Sequence, residues 1–391
     1  MQQHLTPGAA LPEDDAAAIV VGRAWVPGDP GGPSVVAIRE GGVFDLSRAA
    51  PTMADLLNAD DPVALARAPS ERIGDLAAIL ANSAFDRRDP ALPWLLAPCD
   101  LQAIKAAGVT FATSLLERVI EEQARGDPAK AQAVRETITA VIGTDLSRIV
   151  PGSDAAMRLK EHLVAQGAWS QYLEVGIGPD AEIFTKAPPM AAVGTGSEVG
   201  IRAESTWNNP EPEVVLAVDA RGEIKGATLG NDVNLRDVEG RSALLLGQAK
   251  DNNASAAIGP FIRLLDPGFD LERLRRATVS LEVRGEDGFV LSGTSRMSEI
   301  SRDVTDLVAQ MVGPHHQDPD GALLYTGTLF APTQDRGEPG RGFTHQPGDL
   351  VVIACPELGT LVNRVDYCDR IAPWTFGTGA LMRNLAARGL L

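Results

Sequence analysis

Glu211 and Glu213 are separated by Pro212 alone and lead directly into the apolar run 214–218 (VVLAV). Because alternate side chains of an extended chain lie on the same face, the two carboxylates would point the same way. Neighbouring carboxylates repel each other unless a cation lies between them. The pattern favours a cation site at the start of a strand, but two glutamates on a solvated surface would give the same residues.

A third carboxylate, Asp232, lies in the later segment 230–237 (GNDVNLRD). Three carboxylates without cysteine or histidine offer only oxygen ligands, which suit Mg²⁺ or Mn²⁺ better than zinc. Three protein ligands on an octahedral ion leave about three positions for water and substrate. These residue types are therefore consistent with a hard-cation centre that keeps room for a substrate.

A second pattern covers residues 108–121 (GVTFATSLLERVIE). Its polar residues recur at helical spacing and share one face: Ser114, Glu117, Arg118 and Glu121. Residues 115, 116, 119 and 120 are apolar and form the opposite face. An amphipathic helix with salt-bridged surface residues has the same periodicity, so the pattern alone leaves its role open.

The composition is that of a globular protein: 391 residues, 44% hydrophobic and 22% charged. The length fits two or three domains better than one minimal core. No apolar run approaches the roughly 20 residues that a membrane-spanning helix needs. The segment 1–15 (MQQHLTPGAALPEDD) also lacks the basic and apolar regions of a signal peptide. We therefore expect a cytoplasmic protein without a membrane partner.

The charge and the cysteines exclude other classes. Asp and Glu total 52 and Lys and Arg total 35, which gives a net charge of −17. Such a surface repels phosphate backbones, so we expect no nucleic-acid partner. Cys99, Cys355 and Cys368 are scattered and form no CxxC pair, which argues against a disulfide scaffold or a zinc ribbon.

The elements that must position these residues predict an α+β protein in three parts. Residues 1–97 form a small N-terminal α/β domain, with strands at 17–26, 34–38 and 42–46 and a helix that opens at 51–57. Residues 98–178 are helical, with helices from Thr113 or Ser114 to about Arg125, from Asp127 to near Gly143, and from Ser153 to Gly167. Residues 179–391 form a β-rich catalytic domain, with strands at 214–218, 278–283, 289–292 and 349–353 and a long helix at 299–311.

An ordered set of motifs extends over about half of the chain: 183–188 (IFTKAP), 211–213 (EPE), 230–237 (GNDVNLRD), Lys250 ahead of 258–260 (IGP), 325–328 (YTGT), 348–353 (GDLVVI) and 359–363 (GTLVN). Together they resemble the fumarylacetoacetate hydrolase superfamily, and the specificity lies in their order. The resemblance implies a mixed β-roll as the catalytic domain. It also implies at least a homodimer, with a homotetramer as the other option.

The resemblance also implies roles for individual residues. The ligands of Mg²⁺, or of Mn²⁺, would be Glu211, Glu213 and Asp232, and the substrate would be a small 2-keto acid that meets the ion through its keto and carboxylate oxygens. Lys250 would reach the substrate and its developing enolate, and Arg236 would support the site electrostatically. Thr328 would contact the substrate carboxylate. A solvated lysine and a strand-end hydroxyl are the alternatives for Lys250 and Thr328.

The chain departs from the superfamily at one position. Members often carry an aromatic residue and then H-x-x-E on a short lid helix, and here Phe111 resembles the aromatic substrate contact, Glu117 the glutamate, and Ser114 stands in the place of the histidine. Histidine is the side chain best suited to take a proton from water near neutral pH. None of the five histidines lies in a matching motif. The departure argues against hydrolysis, and Ser114 stays among the predicted catalytic residues.

The overall layout, including 204–213 (ESTWNNPEPE), is similar to a longer subgroup of 2-keto-3-deoxy-pentonate dehydratases. The similarity implies Mg²⁺-dependent dehydration of a D-xylonate- or arabinonate-type substrate to 2,5-dioxopentanoate (2-oxoglutarate semialdehyde). Glu117 would protonate the departing C4 hydroxyl with Arg118 and Glu121 orienting it, and Lys250 would supply charge or act as the base. Acylpyruvate-type hydrolysis, oxaloacetate decarboxylation and a non-catalytic binding protein stay as alternatives.

Overall fold

The computed structural model describes residues 1–14, 17–131, 134–135, 149–165, 167, 169–330, 332, 334–337 and 342–391. Its strands are β1 Val20–Val26, β2 Gly32–Arg39, β3 Gly42–Asp45, β4 Glu71–Asp75, β5 Trp94–Leu96, β6 Ala103–Gly108, β7 Glu182–Ala187, β8 Glu198–Ile201, β9 Asn208–Asn209, β10 Pro212–Val218, β11 Ile224–Asp232, β12 Asn234–Leu235, β13 Ala256–Leu264, β14 Thr278–Arg284, β15 Val290–Arg296, β16 Ala322–Tyr325, β17 Leu350–Cys355 and β18 Gly359–Tyr367. Its α-helices are α1 Pro7–Ala10, α2 Met53–Asn58, α3 Pro62–Arg67, α4 Leu76–Asn82, α5 Ala112–Ala124, α6 Asp154–Ala165, α7 Gln171–Ile177, α8 Arg236–Glu239, α9 Leu246–Lys250, α10 Leu271–Leu274, α11 Val304–Met311 and α12 Thr378–Ala387. This mixture of strands and helices confirms the predicted α+β class.

One large sheet runs in the order β4-β3-β2-β1-β13-β11-β10-β16-β6-β7, and β5 pairs with β1. Its strands pair antiparallel except β16 and β6, which are parallel. Val20 of β1 lies opposite Arg263 of β13. The strands of residues 1–97 therefore continue the sheet of the C-terminal part. The predicted boundaries at 97 and 178 stay a prediction, and the sheet extends across both.

A second sheet, in the order β15-β14-β17-β18-β8, encloses the main core with the first. Val214 and Leu216 of β10 share one buried apolar cluster with Val279 and Leu281 of β14. Residues 215 and 217, on the other face of β10, belong to a second cluster that includes side chains of α2. A strand buried on both faces is apolar throughout, which explains the run VVLAV.

Helix α5 is fixed by its apolar face. Its Leu115 and Val119 share a buried cluster with Leu163 of α6 and Leu173 of α7. The helix begins at Ala112 with Phe111 in the N-cap position and without a side-chain cap. The predicted capping by Thr113 or Ser114 is therefore wrong, and packing rather than a cap holds the helix start.

The other predicted helices differ in outcome. Ser153 caps α6, because its Oγ accepts the Ala156 N–H at 3.2 Å. The predicted helix from Asp127 to about Gly143 lies largely outside the described residues. The predicted long helix at 299–311 is wrong at its start, because a 3₁₀ turn covers Met297–Glu299 and Asp303 caps α11. Within the described residues, no helix is both long and apolar enough to cross a bilayer.

Candidate active site

The β10–β11 hairpin brings three carboxylates together. Its register pairs Glu213 with Gly230, and the Asp232 N–H donates to the Glu211 carbonyl at 3.0 Å. Carboxylate oxygens of Glu211, Glu213 and Asp232 all lie within 4.8 Å of one another. The three residues are only 4%, 2% and 2% exposed, so this is not a solvated surface cluster. A buried, all-oxygen donor set of this size fits Mg²⁺.

The charge of this carboxylate cluster is not fully balanced. Burial, with the neighbouring Asp232 and Glu211 carboxylates, raises the pKa of Glu213 well above its usual value. Burial would also raise the pKa of Asp232, but Lys186 and Lys250 outweigh it and lower that pKa to about 2. Glu213 has no ion-pair partner among the described residues, which is the deficit that a divalent cation would remove.

Two buried lysines balance the other carboxylates. The Lys250 ammonium donates to Glu211 Oε2 at 2.5 Å and to Asp232 Oδ2 at 2.7 Å, and its contact with substrate stays a prediction. Lys186 Nζ lies 2.8 Å from Asp232 Oδ1 and donates to the Val233 and Lys250 carbonyls at 3.0 and 2.5 Å. The sequence analysis treated Lys186 only as part of a strand motif. No local feature of the sequence 183–188 (IFTKAP) separates this lysine from a solvated surface charge.

Helix α5 contacts the carboxylate cluster through Arg118. Its guanidinium donates to Glu211 Oε1 at 2.5 Å and to Glu121 Oε2 at 2.7 Å, and it lies 3.0 Å from Glu239. Arg236 donates from Nε to Glu121 Oε1 at 2.6 Å. The predicted residues Arg118, Glu121 and Arg236 therefore belong to one buried ion-pair network that ends on Glu211.

Glu117 and Ser114 lie on the same helical face, but the hydrogen bonds of their side chains go to residues other than Arg118 and Glu211. Glu117 accepts from Arg135 Nη2 at 2.7 Å and from Arg236 Nη2 at 3.4 Å. The Ser114 hydroxyl donates to the Phe111 carbonyl at 2.9 Å. Neither side chain bonds to the three carboxylates, so their catalytic roles stay predictions.

The predicted substrate contacts Thr328 and Phe111 differ in position. Thr328 follows Gly327, whose N–H donates to Glu213 Oε2 at 2.7 Å, and the Thr328 hydroxyl accepts the Phe330 N–H at 3.1 Å. Thr328 is therefore the residue after a backbone N–H that binds the carboxylate cluster. The Phe111 ring is fully buried in the main core, which is a packing position, and its contact with substrate stays a prediction.

Gly327 is needed for this backbone geometry. Its φ is +90°, and a Cβ would lie 1.9 Å from Thr110 Oγ1 and 3.0 Å from the Ala107 carbonyl. We expect Gly327→Ala to lower the free energy of unfolding by about 1–3 kcal/mol, measured by urea denaturation. Gly337→Ala is the matched control, since Gly337 has φ +89° but nothing within 4 Å. An equal loss of unfolding free energy in the two variants would contradict the close approach of Thr110 and Ala107 to Gly327.

Three further polar side chains lie near the network, and the sequence analysis missed them all. Glu239 is 4% exposed and pairs with Arg118. Burial raises the pKa of Tyr172, on α7. Burial, followed by the negative charge of Glu239, raises the pKa of Glu182 to about 7. The Glu182 side chain has no hydrogen-bond partner among the described residues, and the absence of a side chain at Gly108 leaves room for it, because a Cβ there would lie 2.0 Å from Glu182 Oε2.

Comparison with known proteins matches residues 156–366 to the family described as "Fumarylacetoacetate (FAA) hydrolase C-terminal". The chain is 34% identical over 194 residues to a "Probable 2-keto-3-deoxyxylonate dehydratase" of Haloferax volcanii, an alignment that covers 50% of this chain and 63% of that protein. It is 30% identical over 184 residues to the "2-dehydro-3-deoxy-D-arabinonate dehydratase" of Saccharolobus solfataricus, covering 47% of this chain and 58% of that protein. The matches thus span less than two thirds of either relative.

Solved structures match more of the chain at lower identity. The apo form of a 2-keto-3-deoxy-D-arabinonate dehydratase superposes with a TM-score of 0.61 at 20% identity, covering 89% of this chain and 99% of that one. The structure complexed with magnesium and 2,5-dioxopentanoate superposes with the same score, identity and coverage. At this identity the likeness establishes a shared fold.

Proposed function

Since the chain belongs to the fumarylacetoacetate hydrolase family, we propose that it is a Mg²⁺-dependent dehydratase that converts a 2-keto-3-deoxy-pentonate into 2,5-dioxopentanoate. The observation that carries this proposal is the buried convergence of Glu211, Glu213 and Asp232 beside Lys250. The names of the two relatives support the reaction, and the oxygen donor set supports the ion.

The polar face of α5 supports dehydration over hydrolysis. Its residues 114, 117, 118 and 121 are Ser, Glu, Arg and Glu, so a histidine that could activate water is lacking there. His345, a buried histidine, is bonded through Nδ1 to Asp349 at 3.0 Å and not to this network. A dehydratase needs no activated water, because its leaving group is the substrate hydroxyl itself.

The chain's own residues divide the work in this proposal. When bound to the three carboxylates, Mg²⁺ supplies a Lewis acid for the keto group of the substrate. Lys250 places positive charge next to the same carboxylates, where the enolate charge develops. Thr328 meets the substrate carboxylate from the turn after Gly327. Arg118 orients Glu211 from the side of α5.

Two glutamates are candidates for protonating the departing C4 hydroxyl. Glu117, the residue favoured by the sequence analysis, is held between Arg135 and Arg236, and both of its carboxylate oxygens already accept hydrogen bonds from these guanidiniums. Glu182 is half-buried, has no side-chain hydrogen-bond partner among the described residues and has a raised pKa of about 7. We therefore assign the acid role to Glu182 and a positioning role to Glu117, which holds Arg236 against Glu121.

This assignment predicts different kinetics for two isosteric variants. Glu182→Gln should lower kcat by about 100-fold or more, since general acid catalysis contributes about 10²–10⁴-fold. It should also remove the fall of kcat/KM above pH 7, because the acid works only when protonated and the pKa of Glu182 is about 7. Burial is the largest cause of this raised pKa, followed by the charges of Glu239, Arg118, Lys250 and Glu211, and these four residues are kept in the variant.

Glu117→Gln is the comparison, and Glu223→Gln, at an exposed glutamate between β10 and β11, is the control. If Glu117 has a positioning role, Glu117→Gln should lower kcat less than Glu182→Gln does, and kcat/KM should still fall above pH 7. If the fall of kcat/KM above pH 7 disappears in Glu117→Gln and persists in Glu182→Gln, the two roles are reversed.

The reaction itself is tested with a substrate panel. Full-length protein is incubated with 2-keto-3-deoxy-D-xylonate, its arabinonate counterpart, an acylpyruvate and oxaloacetate, with Mg²⁺ or with EDTA. We expect 2,5-dioxopentanoate from at least one pentonate and none with EDTA. Turnover of the acylpyruvate or oxaloacetate alone would replace the proposal by hydrolysis or decarboxylation.

We also propose a cytoplasmic homodimer or homotetramer, as the sequence analysis expects, and light scattering would give the subunit number.

A further inference from the structure

A pocket of about 350 Å³ lies next to α8, and none of the three clustered carboxylates lines it. Within this helix Arg236 and Glu239 bind the α5 network, whereas Asp237 and the following Arg241 line the pocket. Such a volume fits a small molecule of a few heavy atoms. The pocket is therefore separate from the proposed substrate site but shares one helix with it.

The pocket carries an excess of positive charge in a chain of net charge −17. Three arginines line it, Arg125, Arg202 and Arg241, against the two carboxylates Glu204 and Asp237, so the excess is one positive charge. Arg202 pairs with Glu204 at 3.0 Å, whereas Arg125 and Arg241 have no ion-pair partner among the described residues. Asp237 also lines the pocket, but its carboxylate already accepts from Ser205 Oγ at 2.8 Å and the Thr206 N–H at 2.9 Å.

The three arginines come from segments that also carry, or lead to, Arg118, Glu211 and Arg236 of the buried ion-pair network. Arg125 directly follows α5, which carries Arg118 and Glu121. Arg202 lies between β8 and β9, shortly before Glu211, and Arg241 follows α8. The first and third segments already touch, because a Cβ on Gly126 would lie 2.6 Å from the Asp237 carbonyl and one on Gly240 would lie 2.9 Å from the Gly126 Cα.

We propose that this pocket binds a compact dianion, either inorganic phosphate or a short dicarboxylate, between Arg125, Arg202 and Arg241. Planar guanidiniums make paired, charge-assisted hydrogen bonds to such oxygens. The bound anion links the end of α5, the segment before Glu211 and the end of α8. It thereby holds together the elements that position Arg118, Glu211 and Arg236, independently of which reaction the carboxylate cluster performs.

Binding is tested by calorimetric titration of the full-length, metal-free chain with inorganic phosphate and, separately, with succinate. We expect one equivalent per chain of at least one of them, and the tighter of the two identifies the source. The double variant Arg125→Ala/Arg241→Ala should weaken binding by about tenfold or more. The double variant Arg87→Ala/Arg383→Ala removes the same charge at exposed positions outside the pocket and should bind like the parent chain.

The structural link is tested by hydrogen exchange with and without the anion that binds. We expect slower exchange at Arg125–Gly126 and throughout α8 in the parent chain, and no change in Arg125→Ala/Arg241→Ala. No binding of either anion, or equal binding by both double variants, would overturn the site. Binding without slower exchange at these two segments would overturn the link to the active-site elements.

Discussion

Asp232→Asn should weaken Mg²⁺ binding by about 100-fold and lower turnover in the proposed dehydration by about 1,000-fold or more. Asp232 pairs with Lys186 and Lys250, which outweigh its burial and lower its pKa to about 2, so this proposed ligand is charged before any cation arrives. The amide keeps the shape of the side chain but supplies a single neutral oxygen. Calorimetric titration with Mg²⁺ and a turnover assay at saturating Mg²⁺ measure the two effects.

Two further measurements make this result specific. Asp60→Asn changes the same residue type at a position whose side chain is 98% exposed, and it should leave both quantities unchanged. Circular dichroism checks folding, since Lys186 and Lys250 each lose a partner in the variant. Retention of tight Mg²⁺ binding by a folded Asp232→Asn chain would remove Asp232 from the ligand set and, with it, the basis of the proposed function.

Asp349→Ala should lower the free energy of unfolding by about 3–5 kcal/mol, the cost of breaking a buried ion pair. Asp349 is fully buried and binds Arg336 through two hydrogen bonds of 2.6 and 2.8 Å, and it lies 3.0 Å from His345 Nδ1. Among the described residues, removing the carboxylate leaves the buried guanidinium with Asp287, whose side chain is 41% exposed, as its carboxylate partner and with the Thr344 carbonyl at 3.3 Å. Urea denaturation of the metal-free chains measures the difference.

Asp287→Ala is the matched control, because it removes the other carboxylate of the same arginine from the surface and should cost about 1 kcal/mol or less. Burial would raise the pKa of Asp349, but His345 and Arg336 outweigh it and lower that pKa. Its contribution is therefore present above about pH 4, the ordinary pKa of aspartate, and is lost as the pH falls further. Equal costs for the two variants would mean that burial does not strengthen the Asp349 pair.

The Asp349 network also bears on the active site. The backbone N–H of His345 donates to Asn208 Oδ1 at 3.1 Å. Asn208 belongs to β9, which precedes Glu211 in the chain. The segment before β17 is therefore tied to the strand that leads into the carboxylate cluster. We expect the stability lost in Asp349→Ala to be accompanied by faster hydrogen exchange at β9, whereas Asp287→Ala should leave it unchanged.

Local geometry made part of the site predictable. Glu211 and Glu213 could be placed on one face because alternation is a property of any extended chain, whatever packs against it. The shared face of Glu117, Arg118 and Glu121 likewise followed from helical spacing alone. The start of α5 was misplaced because the helix has no capping side chain, and its position depends on packing against α6 and α7.

The partners of these side chains were not predictable in the same way. Spacing put Glu117 and Arg118 on one face, but only the fold directs Arg118 to Glu211 and Glu117 to Arg135. Lys186 and Glu182 lie on β7, an edge strand of the large sheet, and nothing local distinguishes them from surface charges. Their roles arise from burial and from residues far away in the chain.

The sequence by itself determined the residue types of the cation site, the faces of its strand and helix, the α+β class and the resemblance to a family. These are consequences of backbone periodicity and side-chain chemistry, which act over a few residues. Only the tertiary structure decided that β1 joins β13, that two lysines rather than one balance the carboxylates, and that the Glu182 side chain has no hydrogen-bond partner among the described residues. These contacts depend on which distant segments pack together and exclude water. Burial then shifts the pKa of a side chain that would have an ordinary pKa on the surface.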